Sequence, residues 1–117
     1  MNDANHEQFN SALKAMGDDA SLLSLVANQF LASVDGHRTR LAQLCEAKDF
    51  ESLAREGHGL KGSIGALCSS DIKEAAHALE LAAQSNAAED VQNSLGSLEE
   101  ALDALERDLP LFIASLD

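Results

Sequence analysis

An all-α fold, an antiparallel up-down-up-down four-helix bundle with a short additional N-terminal helix, is what this sequence of 117 residues predicts. Three observations carry it. Ala and Leu dominate and Pro occurs once, so helix is the only regular structure the composition favours. Apolar residues recur at steps of three and four along most of the chain, the period of a helix with one buried face. The breaks between these runs are short, which leaves successive helices antiparallel.

A first short segment carries Phe9, Leu13 and Met16, and Asn5 with Gln8 has the spacing of a capping box at its start. Gly17 ends it, and Asp18-Asp19 caps a second helix whose seam runs through Leu22, Val26, Phe30, Val34, His37, Leu41 and Leu44. Asp49 caps a third helix with Phe50, Leu53, Gly57, Leu60, Ile64 and Leu67 on one face. Ser70 or Asp71 caps a fourth, with Ile72, Ala75, Ala76, Leu79 and Ala83, and the stretch from Ser85 to Ala88 is a turn. The last seam is the longest: Val91, Leu95, Leu98, Leu102, Leu105, Leu109, Phe112 and Leu116. Pro110 interrupts it and predicts a kink or a restart near Asp108. The seam belongs to the core of the same bundle rather than to a coiled-coil dimer, so a monomer is expected. One domain spans residues 1–117.

The net charge is −12. A polyanion needs a basic face, so nucleic acid is not expected as a partner. No apolar run reaches the roughly 18 residues of a membrane span, and the first residues lack the basic and apolar regions of a secretory signal. Antiparallel helices two and three place Cys45 and Cys68 about 30 Å apart, out of disulfide reach. These features fit a small cytoplasmic domain. The charge is uneven: residues 70–117 hold eleven of the twenty acids but only two of the eight bases. Arg38, Arg40, Lys48, Arg55 and Lys61 cluster instead in the middle.

The third helix contains an anomaly. Gly57, Gly59, Gly62 and Gly65 crowd into nine residues, although each mid-helix Gly costs about 1 kcal/mol against Ala. At about 100° per residue, His58, Gly62 and Gly65 share a stripe facing away from the apolar seam, and Lys61 lies between the two, one turn from His58. Side chains are missing around an exposed imidazole, as if another macromolecule must approach it. A metal site needs three or four converging ligands, and a Ser-His-Asp triad needs a pocket; neither pattern is present. A lone imidazole nucleophile attacking phosphorus remains. Lys61 would disfavour imidazolium and neutralise phosphoryl charge, while a Mg²⁺-loaded partner supplies the rest.

The residues His58-Gly-Leu-Lys-Gly-Ser63, followed by Gly65, Ile72 and the pair Leu79-Glu80, resemble the signature of the histidine-containing phosphotransfer (HPt) domain. Lys48-Asp49-Phe50 ahead of the histidine and Phe30-Leu31 in the second helix extend the likeness over roughly residues 18–84. The resemblance implies that His58 is the phosphoacceptor through Nε2, Lys61 the phosphoryl-stabilising cation and Gly62 the gap that admits a receiver domain. Gly65 continues that gap. Gly57 stands where Ala is common and Cys68 where Gly is usual.

The implied partners are receiver domains of hybrid histidine kinases and of response regulators. This chain would take phosphate from one receiver aspartate and give it to another, as the third carrier of a four-step relay. No nucleotide motif occurs, so it would be a carrier without catalytic domain or cofactor of its own, with Mg²⁺ on the receiver. The basic cluster then suggests a docking face at Arg38, Arg40 and Arg55.

Three other histidines are weaker candidates. His37 lies on the second seam near the level of His58, more as a structural residue than as a supporting partner of the site. His77 faces away from its seam and is read as merely exposed. His6-Glu-Gln-Phe-Asn10 echoes a sensor-kinase box without the Pro or the ATPase domain that accompanies it. A rival function is an adaptor of this fold that binds receivers without being phosphorylated.

Overall fold

The computed structural model describes residues 3–67 and 69–116. Five α-helices follow one another: α1 (Asp3–Ala15), α2 (Ala20–Glu46), α3 (Phe50–Ile64), α4 (Ser70–Gln84) and α5 (Ala88–Ala114), with a 3₁₀ turn at Gly65–Leu67 after α3. Three of the turns close alike. Gly17, Lys48 and Asn86 each adopt a left-handed φ just past a helix end. The next residue's N–H then reaches back to the last turn: Asp18 to Leu13 O, Asp49 to Leu44 O and Ala87 to Ala82 O. Asp19 and Asp49 cap α2 and α3 through Leu22 N and Ser52 N.

Two capping expectations are corrected. Asn5 and Gln8 form no capping box, because α1 already begins at Asp3. Gln8 instead caps α4: its Oε1 accepts from Ser70 N at 3.2 Å and its Nε2 donates to Ser70 Oγ at 2.9 Å. Neither Ser70 nor Asp71 caps α4; Ser69 stands at that position and its side chain makes no capping bond.

The core follows the seams of α3, α4 and α5 closely. Every α5 seam residue from Val91 to Phe112 is buried within the bundle. In α2 the N-terminal half is shifted by one residue: Leu23 and Ala27 are buried, while Leu22 is exposed and Val26 half-buried. Helix geometry explains the shift. Leu23 points within about 20° of Val34, whereas Leu22, reached by three steps of four, is about 120° away.

α5 does not restart at Asp108 but runs through Pro110 to Ala114. Pro110 lies on the exposed face, where the carbonyl that loses its N–H partner can be met by water, and Leu109 and Phe112 stay buried on either side. Asp108 is itself wholly buried. It accepts from Asn5 Nδ2 at 2.8 Å and from the Arg107 guanidinium, which ties α1 to α5. α2 and α5 outrun α3 and α4 by twelve residues each, and α1 covers the extra length, with Phe9 tilted against Phe112 at 5.4 Å. Cys45 is buried and unbridged, and its sulfur accepts from Gln92 Nε2; the predicted separation from Cys68 falls outside the described residues. No helix among the described residues is long and apolar enough to cross a membrane.

Candidate functional site

Gly57 decides how closely α4 approaches α3. It is buried on the α3 seam, and a Cβ there would lie 3.3 Å from Ala76 O and 3.7 Å from Glu80 N. The missing side chain lets the α4 backbone settle against α3 and delivers Glu80 beside the next residue, His58.

His58 Nδ1 lies 2.9 Å from Glu80 Oε2, and Lys61 Nζ donates to Glu80 Oε1 at 3.0 Å. The carboxylate is 9% exposed, whereas the His58 side chain is 70% exposed. Burial alone would push the Glu80 carboxyl up. The hydrogen bonds and charges of Lys61 and His58 outweigh it and hold Glu80 below its ordinary value.

An ionised carboxylate only accepts, so Nδ1 must carry the imidazole proton. In the neutral ring the lone pair is then on Nε2, on a side chain that is largely exposed. The Lys61 ammonium bonds the same carboxylate that holds the ring.

His77 is exposed, as its position off the seam implies, yet it belongs to the cluster. Its Nδ1 lies 3.3 Å from Lys61 Nζ and 3.5 Å from Glu80 Oε1. One carboxylate–ammonium pair thus lies against two imidazoles.

Around His58 the α3 surface is bare. A Cβ at Gly59, Gly62 or Gly65 would meet nothing within 4 Å, so no contact inside the chain requires glycine there. Two open grooves flank the histidine along the α3–α4 seam. One, of about 670 Å³, is lined by Ala54, Arg55, His58, Glu80, Ala83 and Gln84 among others. The other, of about 440 Å³, lies between Lys61, Ser70, Lys73, Glu74 and His77. Among the described residues no three His, Cys, Asp or Glu side chains converge to hold a metal.

The chain residues 26–108 match the model of the Hpt domain. The chain belongs to the Hpt family. Two plant structures share the Hpt fold. A rice protein described as a histidine-containing phosphotransfer protein superposes with a TM-score of 0.77 at 20% identity, over 92% of this chain and 78% of its own. A maize histidine-containing phosphotransfer protein gives 0.78 at 20% identity, over 92% of this chain and 81% of its own. No curated protein sequence matches.

Within this Hpt bundle the remaining sequence candidates separate. Arg55 lines the first groove with His58. Arg38 does not join them: its guanidinium is bound to Asp103 at 2.8 Å and Glu106 at 3.1 Å, where α2 meets α5. Arg40 bonds Glu56. The half-buried His37 bonds the same Glu56 at 2.8 Å, a structural link between α2 and α3; its hydrogen bonds go to Glu56 and Arg40, not to the His58 cluster.

Two residues of the cluster carry no site role in the sequence reading: Glu80, although it belongs to the Leu79-Glu80 pair of the HPt-like signature, and His77, read as merely exposed. Glu80 offered a signal, an acid on the flank of a buried seam one position after Leu79. His77 offered only its i,i+3 spacing to Glu80 on α4, since its contact with Lys61 crosses to α3.

The depressed pKa of Glu80 has a consequence for stability. A carboxyl held below its ordinary value of 4.5 stabilises the fold above that pH, and the contribution is lost as pH falls through the folded value. Thermal unfolding followed from pH 7 to pH 3 should therefore show a smaller acid-induced loss for Glu80→Gln than for the wild type. Equal slopes would show that the Glu80 interactions add nothing to stability.

Proposed function

We propose that this Hpt protein is a phosphoryl carrier of a multistep phosphorelay, accepting phosphate from a receiver-domain aspartate on His58 and passing it to a second receiver. The observation that carries this reading is the exposed Nε2 lone pair of His58, fixed by Glu80 on a surface stripped of side chains. In the forward step Nε2 attacks the phosphorus of the acyl phosphate. The N–P bond forms, the P–O bond to the aspartyl oxygen breaks, and the carboxylate leaves with that electron pair. The ring keeps its Nδ1 proton and gains positive charge, which the Glu80 carboxylate stabilises. Lys61 holds Glu80 in place and adds cationic potential beside the incoming phosphoryl oxygens.

The second transfer is the reverse chemistry with a different aspartate. The protein uses no ATP and brings no cofactor; Mg²⁺ belongs to the receiver, where it draws charge from the phosphoryl group. It works as a single-domain cytoplasmic monomer.

Incubation with a phosphorylated receiver domain tests the proposal: an acid-labile, alkali-stable label should move to this chain. No transfer from any receiver, with binding retained, would favour the non-phosphorylated adaptor.

Gly62 should matter to the partner and not to the fold. Gly62→Leu is expected to raise helix stability by up to about 1 kcal/mol. It should slow transfer from the receiver by about tenfold or more, because a bulky group in a close interface costs on the order of 1–3 kcal/mol. Wild-type transfer kinetics in a stably folded Gly62→Leu protein would remove Gly62 from the docking face.

A further inference from the structure

The protein has eight Lys and Arg side chains, and the fold divides them. Arg38, Arg40, Lys61 and Arg107 are each bound to a carboxylate of their own chain. Lys14, Lys48, Arg55 and Lys73 make no ion pair among the described residues. Of these, Arg55 and Lys73 share the face of His58. Arg55 stands one turn before His58 on α3 and lines the first groove; among the described residues its guanidinium bonds only Ser52 Oγ. Lys73 stands one turn before His77 on α4 and lines the second groove with Lys61 and His77.

α3 and α4 run antiparallel, so the two bases lie towards opposite ends of the α3–α4 face. His58 stands between them, and the bare positions Gly62 and Gly65 lie towards the Lys73 end. Glu51 and Glu74 edge the two grooves without bonding either base.

A chain of net charge −12 that leaves two cations unneutralised on either side of its nucleophile is complementary to an acid-rimmed partner. An aspartyl phosphate site that binds Mg²⁺ has such a rim, since Mg²⁺ is held by carboxylate oxygens. We infer that the receiver domain docks across α3 and α4, with Arg55 and Lys73 meeting carboxylates on opposite sides of its phosphorylation pocket. The second electrostatic contact is Lys73, not Arg38 or Arg40. This inference rests on the reading of the partner as a receiver domain. It moves the docking face from the mid-chain basic cluster to the α3–α4 seam, because the charge of Arg38 is spent on α5 and that of Arg40 on Glu56.

The test is the bimolecular rate of phosphate transfer from a phosphorylated receiver domain to the full chain, at low and high salt, with thermal unfolding confirming that each variant is folded. Arg55→Glu and Lys73→Glu should each slow transfer about tenfold at roughly 0.05 M ionic strength, and the deficit should shrink near 0.5 M as screening shortens the interaction. Arg38→Gln should stay within about twofold of wild type, as expected of a charge turned away from the encounter. Wild-type rates for Lys73→Glu, or an equal loss in Arg38→Gln, would overturn the α3–α4 docking face while leaving phosphorylation of His58 intact. A wild-type chain that takes no label from receivers would overturn the phosphocarrier reading itself and the inference with it.

Discussion

Replacing His58 with Gln should abolish acceptance of phosphate from a receiver domain while leaving the bundle folded. The side chain is 70% exposed, so its replacement opens no cavity, and the Gln amide N–H can donate to Glu80 in place of Nδ1. The remaining histidines do not substitute. His77 turns its Nδ1 to the Lys61 ammonium, His37 is half-buried against Glu56, and His6 lies on α1 with its ring edge-on to Phe112. The measurement is label transfer from a phosphorylated receiver beside a thermal melt. A His58→Gln protein that melts normally and still takes up acid-labile phosphate would place the acceptor elsewhere.

The second large effect is expected at Glu80, a positioning residue that acts through His58. In Glu80→Ala the Nδ1 proton loses its acceptor, the ring samples both tautomers and orientations, and positive charge developing on the imidazole goes uncompensated. A hydrogen bond to a charged group is worth about 1.5–3 kcal/mol, so transfer should slow about ten- to hundredfold. Glu80→Gln separates the two contributions. Its amide oxygen still accepts from Nδ1 but brings no charge, so its rate should fall between the wild type and Glu80→Ala. A merely structural Glu80 would instead lower the melting temperature in both variants and leave the transfer rate per folded molecule unchanged.

Much of this site was legible in the sequence because its residues lie within one helix. His58, Lys61 and Gly62 lie within two turns of α3, where a 100° rotation per residue fixes their relative directions, and Gly65 follows at its end. The glycines stood out because their cost to helix stability needs a compensating reason. What remained hidden depends on how two helices meet. Glu80 is 22 residues from His58, and its role follows from the close approach that Gly57 permits.

The fate of the basic cluster was hidden in the same way. Arg38 and Arg55 look alike in sequence, but the rotation of α2 turns the first towards Asp103 and Glu106. The fold behaved similarly. The α5 seam was readable through its whole length, whereas the wholly buried Asp108 depends on where α1 docks. Asp108 sits one position before the seam residue Leu109, and it is buried because Asn5 and Arg107 are there to bond it.

The central claim is chemical: Glu80 fixes the proton on Nδ1, so phosphate is carried on Nε2 of His58. The most direct measurement is a phosphorus–nitrogen NMR correlation on ¹⁵N-labelled protein phosphorylated by a receiver domain. Coupling of phosphorus to Nε2 of His58, with the proton retained on Nδ1, is the predicted result. Phosphorus coupled to Nδ1, or to any other histidine, would contradict it.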